Sequence, residues 1–173
     1  MIDKFVLAAA ITIVAGIGRS HGQTTHCRND EVVLFSALLE PEAKGRIVSL
    51  CADGLKNVQR LSYRFGRPGE IEMIFDAPND GRFGVEGESS GIRSMIRTLH
   101  FERDDFTYGV AFHFTGPQDA NVRVLVFKGK KLVASHGVVA SSQQGSILRD
   151  EFLLIQDQPP VISIGKSELD FAK

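Results

Sequence analysis

Beyond residue 30 the apolar residues of this chain fall in short runs rich in valine, isoleucine and phenylalanine, and glycine, proline, asparagine or aspartate separates one run from the next. That punctuation predicts strands joined by turns. Alternation within the runs predicts three hairpins. In the first, a three-residue turn at Arg67-Pro68-Gly69 pairs Phe65 with Ile71, Tyr63 with Met73 and Leu61 with Phe75 on an apolar face. The opposite face then sets Arg64 against Glu72 and Arg60 against Asp76, and a slip of one residue would bring Phe65 onto Glu72. In the second, a tight turn within Glu102 to Asp105 puts Met95, Leu99 and Phe101 on one core-facing side with Phe106, Tyr108, Val110, Phe112 and Phe114. Arg93 and Arg97 fall on that same side, so the sheet must end near them or they must bury their stems and pair with acidic groups. In the third, Gly129-Lys130 suits a two-residue turn that sets Phe127 opposite Leu132, with lysines crowding the tip and His136 expected to face Arg123.

Further strands are expected over Glu31 to Ser36, Arg46 to Ala52 and Val161 to Ile164. The stretch Ser146 to Gln156 is ambiguous: Ile147, Leu148, Phe152 and Ile155 recur near helical spacing, yet residues 152–155 also suit a buried strand, and Pro159-Pro160 ends either one. Ala77 to Gly91, rich in glycine and polar residues, is expected to be the least ordered. With no repeat and no dividing linker, the pattern predicts one all-β domain, residues 23–173, built as an antiparallel β-sandwich or flattened barrel of about eight strands with at most one short helix.

The first 22 residues break this pattern. Lys4 precedes an apolar run from Phe5 to Ile17, and Ser20-His21-Gly22 offers small residues where a signal peptidase cuts, so residues 1–22 read as a secretory signal. The run falls short of the about 20 apolar residues a comfortable span needs, which disfavours a membrane anchor. Export to the periplasm or the medium is therefore expected, with no membrane span after cleavage. Removing 22 of 173 residues takes away Asp3, Lys4 and Arg19, leaving 18 basic and 20 acidic residues and a net charge of −2 with histidines neutral. So even a balance gives no electrostatic hold on nucleic acid.

Export also changes the meaning of Cys27 and Cys51, the two cysteines of the chain. In an oxidising compartment they are expected to form a disulfide worth roughly 3 kcal/mol, tying the lead-in of one strand to the end of another. A lipid-modified Cys27 is disfavoured because Thr24, Thr25 and His26 precede it where small or aliphatic residues are required. Zinc-ligand spacing is missing.

Catalytic chemistry finds little to stand on. Ser89 and Ser90 lie in GESSG, which resembles the G-x-S-x-G nucleophile turn loosely but has no helical pattern behind it. His100 and His113 share the face of the second hairpin opposite its aromatics, where solvated imidazoles are commoner than a shared metal. The Asp76 to Gly81 string suits a turn, since Pro78 stands where a calcium loop needs an oxygen. Asp104-Asp105 and Asp150-Glu151 are sequence neighbours that point apart in a strand and cannot share a proton. No nucleotide cradle is present, and no cofactor is expected.

Two stretches carry a resemblance. VSLCADGLKNVQRLSYRFGRPGEIEMIF resembles the signature of small exported proteobacterial proteins, an SLC followed by YRFG, a proline-glycine turn and an I-E pair. SSGIRSMIRTLHFERDDFTYGVAF with VRVLVFKGKKLVAS is similar to their later half, departing from it where Arg103-Asp104 replaces a common Asn-Gly. This resemblance, over about Ile47 to Ser135, implies an exported protein and no assigned activity. A shorter likeness is to periplasmic lysozyme inhibitors, small β-sandwich or barrel-like proteins that insert a serine-glycine loop into the enzyme's cleft. It implies a partner-binding loop made of Ser89, Ser90 and Gly91 with Arg93 and Arg97. The leading expectation is an exported non-enzymatic binding protein whose partner is a protein, glycan or cell-wall component of the envelope. Lysozyme inhibition is the first alternative, and a hydrolase with residues scattered among strands the second.

Overall fold

The structure is a computed structural model, and it describes residues 25–89, 95–114, 120–145, 147, 162–164 and 169. The secretory-signal reading of residues 1–22 and most of the ambiguous 146–156 stretch lie outside these. Among the described residues ten strands form two sheets. The first holds β1 (Val32–Leu38), β2 (Ile47–Ala52), β3 (Leu61–Arg67) and β4 (Glu70–Ala77) in sequential antiparallel order. The second holds β5 (Phe83–Ser89), β6 (Met95–Arg103), β7 (Phe106–Phe114), β8 (Ala120–Lys128) and β9 (Lys131–Gly137) as an antiparallel meander, with β10 (Ile162–Ile164) added parallel to β5. This is the expected sandwich with two more strands and one parallel pairing. The described residues contain two short 3-10 turns, Pro41–Ala43 and Ala140–Ser142, and no α-helix.

Alternation explains the core. Leu99, Phe101, Val110 and Phe112 of the second sheet face Phe35, Leu61, Tyr63 and Phe75 of the first, and all are buried. Phe101 is the hub: its ring stacks on Phe75 at 4.1 Å and on Tyr108 at 5.1 Å, with Tyr63 at 5.0 Å and Phe83 at 5.5 Å. Phe35 meets Phe112 edge-on at 5.1 Å. Offset and edge-on aromatic contacts of this kind add about 0.5–1.5 kcal/mol each beyond area burial.

The second hairpin has the expected register, with Leu99 opposite Val110 and Phe101 opposite Tyr108; the third has it at its tip, Phe127 opposite Leu132, before an irregularity between Val126 and Phe127 shifts the rest by one residue. The first hairpin does not have its expected register. Its turn is the two-residue Pro68-Gly69, with Gly69 at φ +79°, and Arg67 pairs Glu70. Glu72 is then an extra residue at a bulge, so Phe65 pairs Met73 and Tyr63 pairs Phe75. The cause lies in Gly66, whose Cα faces the backbone of Glu70 and Glu72 so closely that any side chain would collide there. A shift of two residues keeps every side chain on its face, which is why the apolar pattern could not detect it. His136 likewise pairs Val124, and Arg123 instead donates to Ser135 Oγ at 2.7 and 3.1 Å.

The described part of the stretch expected to be least ordered, residues 77–89, is more regular than expected. Its first part is a turn in which Asp80 N donates to Asp76 O at 2.7 Å and Asp80 Oδ2 accepts from Asp76 N at 2.8 Å, and β5 follows. The same bonds cap the outer edge of β4, as does Arg103 Nη1 on Ile74 O at 3.1 Å. The edge of β1 is covered by the chain after β9: Val139 N bonds Leu38 O at 2.8 Å, and Ser36 and Gln144 exchange backbone bonds at 2.8 and 2.9 Å. Capped edges resist pairing with other chains. Ile147 is buried in the core.

Candidate functional site

Two regions gather polar chemistry, one on each sheet. On the outer face of the first sheet, register sets Ser36 beside Ser49 and Ser49 beside Arg64, with Cys51 beside Ser62 and Ser62 beside Asp76 in the next row. The lead-in, residues 25–31, lies over this floor as a strap. Cys27 is joined to Cys51, Cα to Cα 5.4 Å, as expected from the sequence. Arg64 Nη1 and Nη2 fork onto Glu31 Oε2 and Oε1 at 2.5 and 2.7 Å, with Arg60 Nη2 on the same carboxylate at 3.3 Å. The Arg64 and Glu31 side chains are 3% and 1% exposed, so this ion pair is dry. Burial pushes the Glu31 carboxyl up, but hydrogen bonds from Arg64 and the Arg28 N–H and the charges of Arg64 and Arg60 outweigh it, holding the group below its ordinary value.

The strap continues the network. Arg64 Nη1 also donates to His26 O at 2.9 Å, His26 N donates to Ser49 Oγ at 2.9 Å, and Ser49 Oγ lies 2.7 Å from Ser36 Oγ. His26 Nε2 faces Gly66 O at 3.2 Å, and the Ser62 hydroxyl donates to Asp76 Oδ1. His26 is thus a bracing residue whose ring points at a backbone carbonyl. Sequence reasoning assigned Arg64 to Glu72 and Arg60 to Asp76, and both pairings are replaced by Glu31. The signal was available: a Cys27–Cys51 bond places Glu31, four residues on, above the face of the strand beside β2.

The second region is the rim of the other sheet where β5 passes to β6. Ser89 pairs Met95 there, and Arg97 pairs Gly87 on one side and Phe112 on the other. Ser90, Gly91 and Arg93 of the expected binding loop lie outside the described residues. Arg97 alternates with Leu99 and Phe101 and so stands on the core-facing side, at the sheet's end as one of the two sequence readings required. It is half-buried, its Nε donates to Met95 Sδ at 2.9 Å, and burial draws its pKa below the ordinary value. Met95 itself is 37% exposed. A Cβ added at Gly87 would meet no described atom within 4 Å, so the core-facing side of β5 has room beside Arg97.

The histidines of the second hairpin are apart: His100 pairs Gly109, and His113 pairs Ile96, four rungs away. His100 packs its ring on Gly84, where a side chain would collide with it, and Nε2 lies 3.1 Å from Glu86 Oε1. Burial drives its pKa down to about 4, although a carboxylate so near favours the protonated ring. We regard desolvation as dominant because only 12% of the side chain is exposed. Among the described residues no group of three or more potential metal ligands is assembled, and no helix is long and apolar enough to cross a membrane. No protein family, curated protein or solved structure matches this chain.

Proposed function

We propose that this chain is an exported, non-catalytic binding protein of the cell envelope that meets its partner with the β5–β6 end of the second sheet. The observation that carries the reading is Arg97. A guanidinium on the core-facing side of a strand is expensive to keep there, yet it stands at a rim with an exposed thioether beside it and room over Gly87 opposite. Such a rim pairs a cation and a soft apolar group with space for a partner's side chain. The disulfide fits an oxidising compartment, and the SLC and YRFG stretches support export by resemblance.

Lysozyme inhibition is the specific form of this reading, supported by the likeness of the serine-glycine stretch and by Ser89, which stands directly across from Met95. The test is digestion of peptidoglycan by chicken-, goose- and invertebrate-type muramidases with the mature protein added. Slowing of one enzyme class is expected, and Arg97→Ala or Gly87→Val should abolish it. Full digestion rates with all three enzymes would remove the inhibitor form. A partner captured from periplasmic extract equally well by wild type and both variants would remove the rim.

A further inference from the structure

We propose that the Cys27–Cys51 disulfide is a thiol–disulfide exchange site for an external dithiol, attacked at Cys27 Sγ and releasing Cys51 as a thiolate beside Arg64. The inference stands apart from the binding function above. Its basis is the asymmetry of the bond. Cys27 is half-buried on the strap and is the more exposed end of the bond, whereas Cys51 is 1% exposed in β2. Arg64 Nη1 lies 3.7 Å from Cys51 Sγ and is fixed there by Glu31 and by His26 O. Among the described residues Arg64 is the charged group in contact with that sulfur. Glu31 and Arg60 sit behind it, and Asp76 is two strands away on β4. A guanidinium against a departing sulfur lowers the pKa of the leaving thiol, and a lower leaving-group pKa speeds exchange.

The step balances. A thiolate of the dithiol bonds to Cys27 Sγ, the Cys27–Cys51 bond breaks, and Cys51 leaves with the electron pair. The second thiolate of the dithiol then attacks the mixed disulfide, Cys27 leaves as a thiolate and takes a proton from water, and the dithiol ends as its own disulfide. Two electrons pass to the protein. Both products have a place to sit, since Leu50 O lies 3.7 Å from Cys27 Sγ and can accept from the new thiol, and Arg64 faces Cys51. The aromatic core lies on the opposite face of the sheet, so reduction converts the strap from a covalent cover into one held by Glu31 and His26 without opening the sandwich.

The oxidised full chain is treated with dithiothreitol under native conditions, quenched by alkylation and followed by mass, with far-UV circular dichroism and deuterium uptake recorded in parallel. Reduction is expected with an unchanged dichroism spectrum and uptake rising within residues 25–31. With glutathione, the mixed disulfide should map to Cys27, and mapping to Cys51 overturns the proposal. Glu31→Gln, which frees Arg64 to face the sulfur, should reduce several-fold faster than wild type. Glu31→Gln with Arg64→Gln, which removes both charges of the dry pair, should be several-fold slower than Glu31→Gln alone. A purely structural staple predicts that the two rates simply follow the urea stabilities of the oxidised variants, so an order of rates accounted for by those stabilities overturns the proposal. Equal rates in the two variants, or reduction that accelerates with denaturant in step with global unfolding, overturn the proposal.

Discussion

Arg64 and Arg97 are both strand arginines, one in each sheet and each beside an aromatic residue, and the fold treats them differently. Arg64 points away from the core yet is the drier of the two, because the strap closes over it and supplies Glu31 and the His26 carbonyl. Arg97 points toward the core yet remains half-buried near the end of its strand, opposite Gly87, which presents no side chain to cover it. Facing direction alone therefore does not decide burial. What covers the residue does, and a cover made of opposite charge buries a side chain fully, whereas a place at the rim leaves it half-buried.

The comparison is broken most severely at Arg64. Arg64→Ala strands the Glu31 carboxylate in a dry site and should destabilise the oxidised protein by about 3–5 kcal/mol, read by urea unfolding. Glu31→Leu with Arg64→Met should recover most of that loss, because the cost lies in the unpaired charge. If Arg64→Ala costs under about 1 kcal/mol, the strap is not a structural cover. Next in size is the Cys27→Ser, Cys51→Ser pair. Its span of 24 residues gives an expected loss of about 3–4 kcal/mol on chain-entropy grounds. The aromatic core should survive, seen as an unchanged near-UV spectrum.

These two regions also differ in how much of them the sequence disclosed. The sandwich, the second and third hairpins and the disulfide were legible because alternation, turn chemistry and cysteine context are local signals. Arg97 was legible as an anomaly, a cation in an apolar row. The Arg64 pairing was not, since it depends on Gly66 forcing a bulge at Glu72 and on a strap arriving from 33 residues away. A register error of two residues preserves faces, so charge complementarity across β3 and β4 offered a false match with Glu72 and Asp76. The parallel β10 strand was legible as a strand at residues 161–164 but not as a partner of β5, because three residues carry no pairing code.

Acid separates the two sheets by window. His100, on the second sheet, has a lowered pKa, so below its ordinary value of 6.5 the unfolded chain takes up a proton that the folded one refuses. Stability should fall between about pH 6.5 and pH 4 by up to about 3 kcal/mol, and His100→Gln should flatten that limb. Glu31, on the first sheet, also has a lowered pKa, so its contribution is complete above the ordinary carboxyl value and is lost only as pH falls through its depressed folded value. In the His100→Gln background the fall in stability should begin at lower pH, and adding Glu31→Gln should flatten that remaining limb while lowering stability at every pH. A single transition unaffected by either substitution would mean that neither buried group governs acid stability.

The smallest expected effect on stability is the most informative about function. Arg97→Ala removes a half-buried side chain at a rim and should change unfolding free energy by under about 1 kcal/mol. Gly87→Val has space for its side chain, a backbone that does not require glycine, and a β-branched shape suited to a strand, so it should be similarly mild. Both should nevertheless lose the partner, one by deleting the cation and the other by filling the room beside it. A stability cost of several kcal/mol for Arg97→Ala would instead make Arg97 a second Arg64, a residue held for structure, and the distinction between a covered sheet and an open rim would collapse.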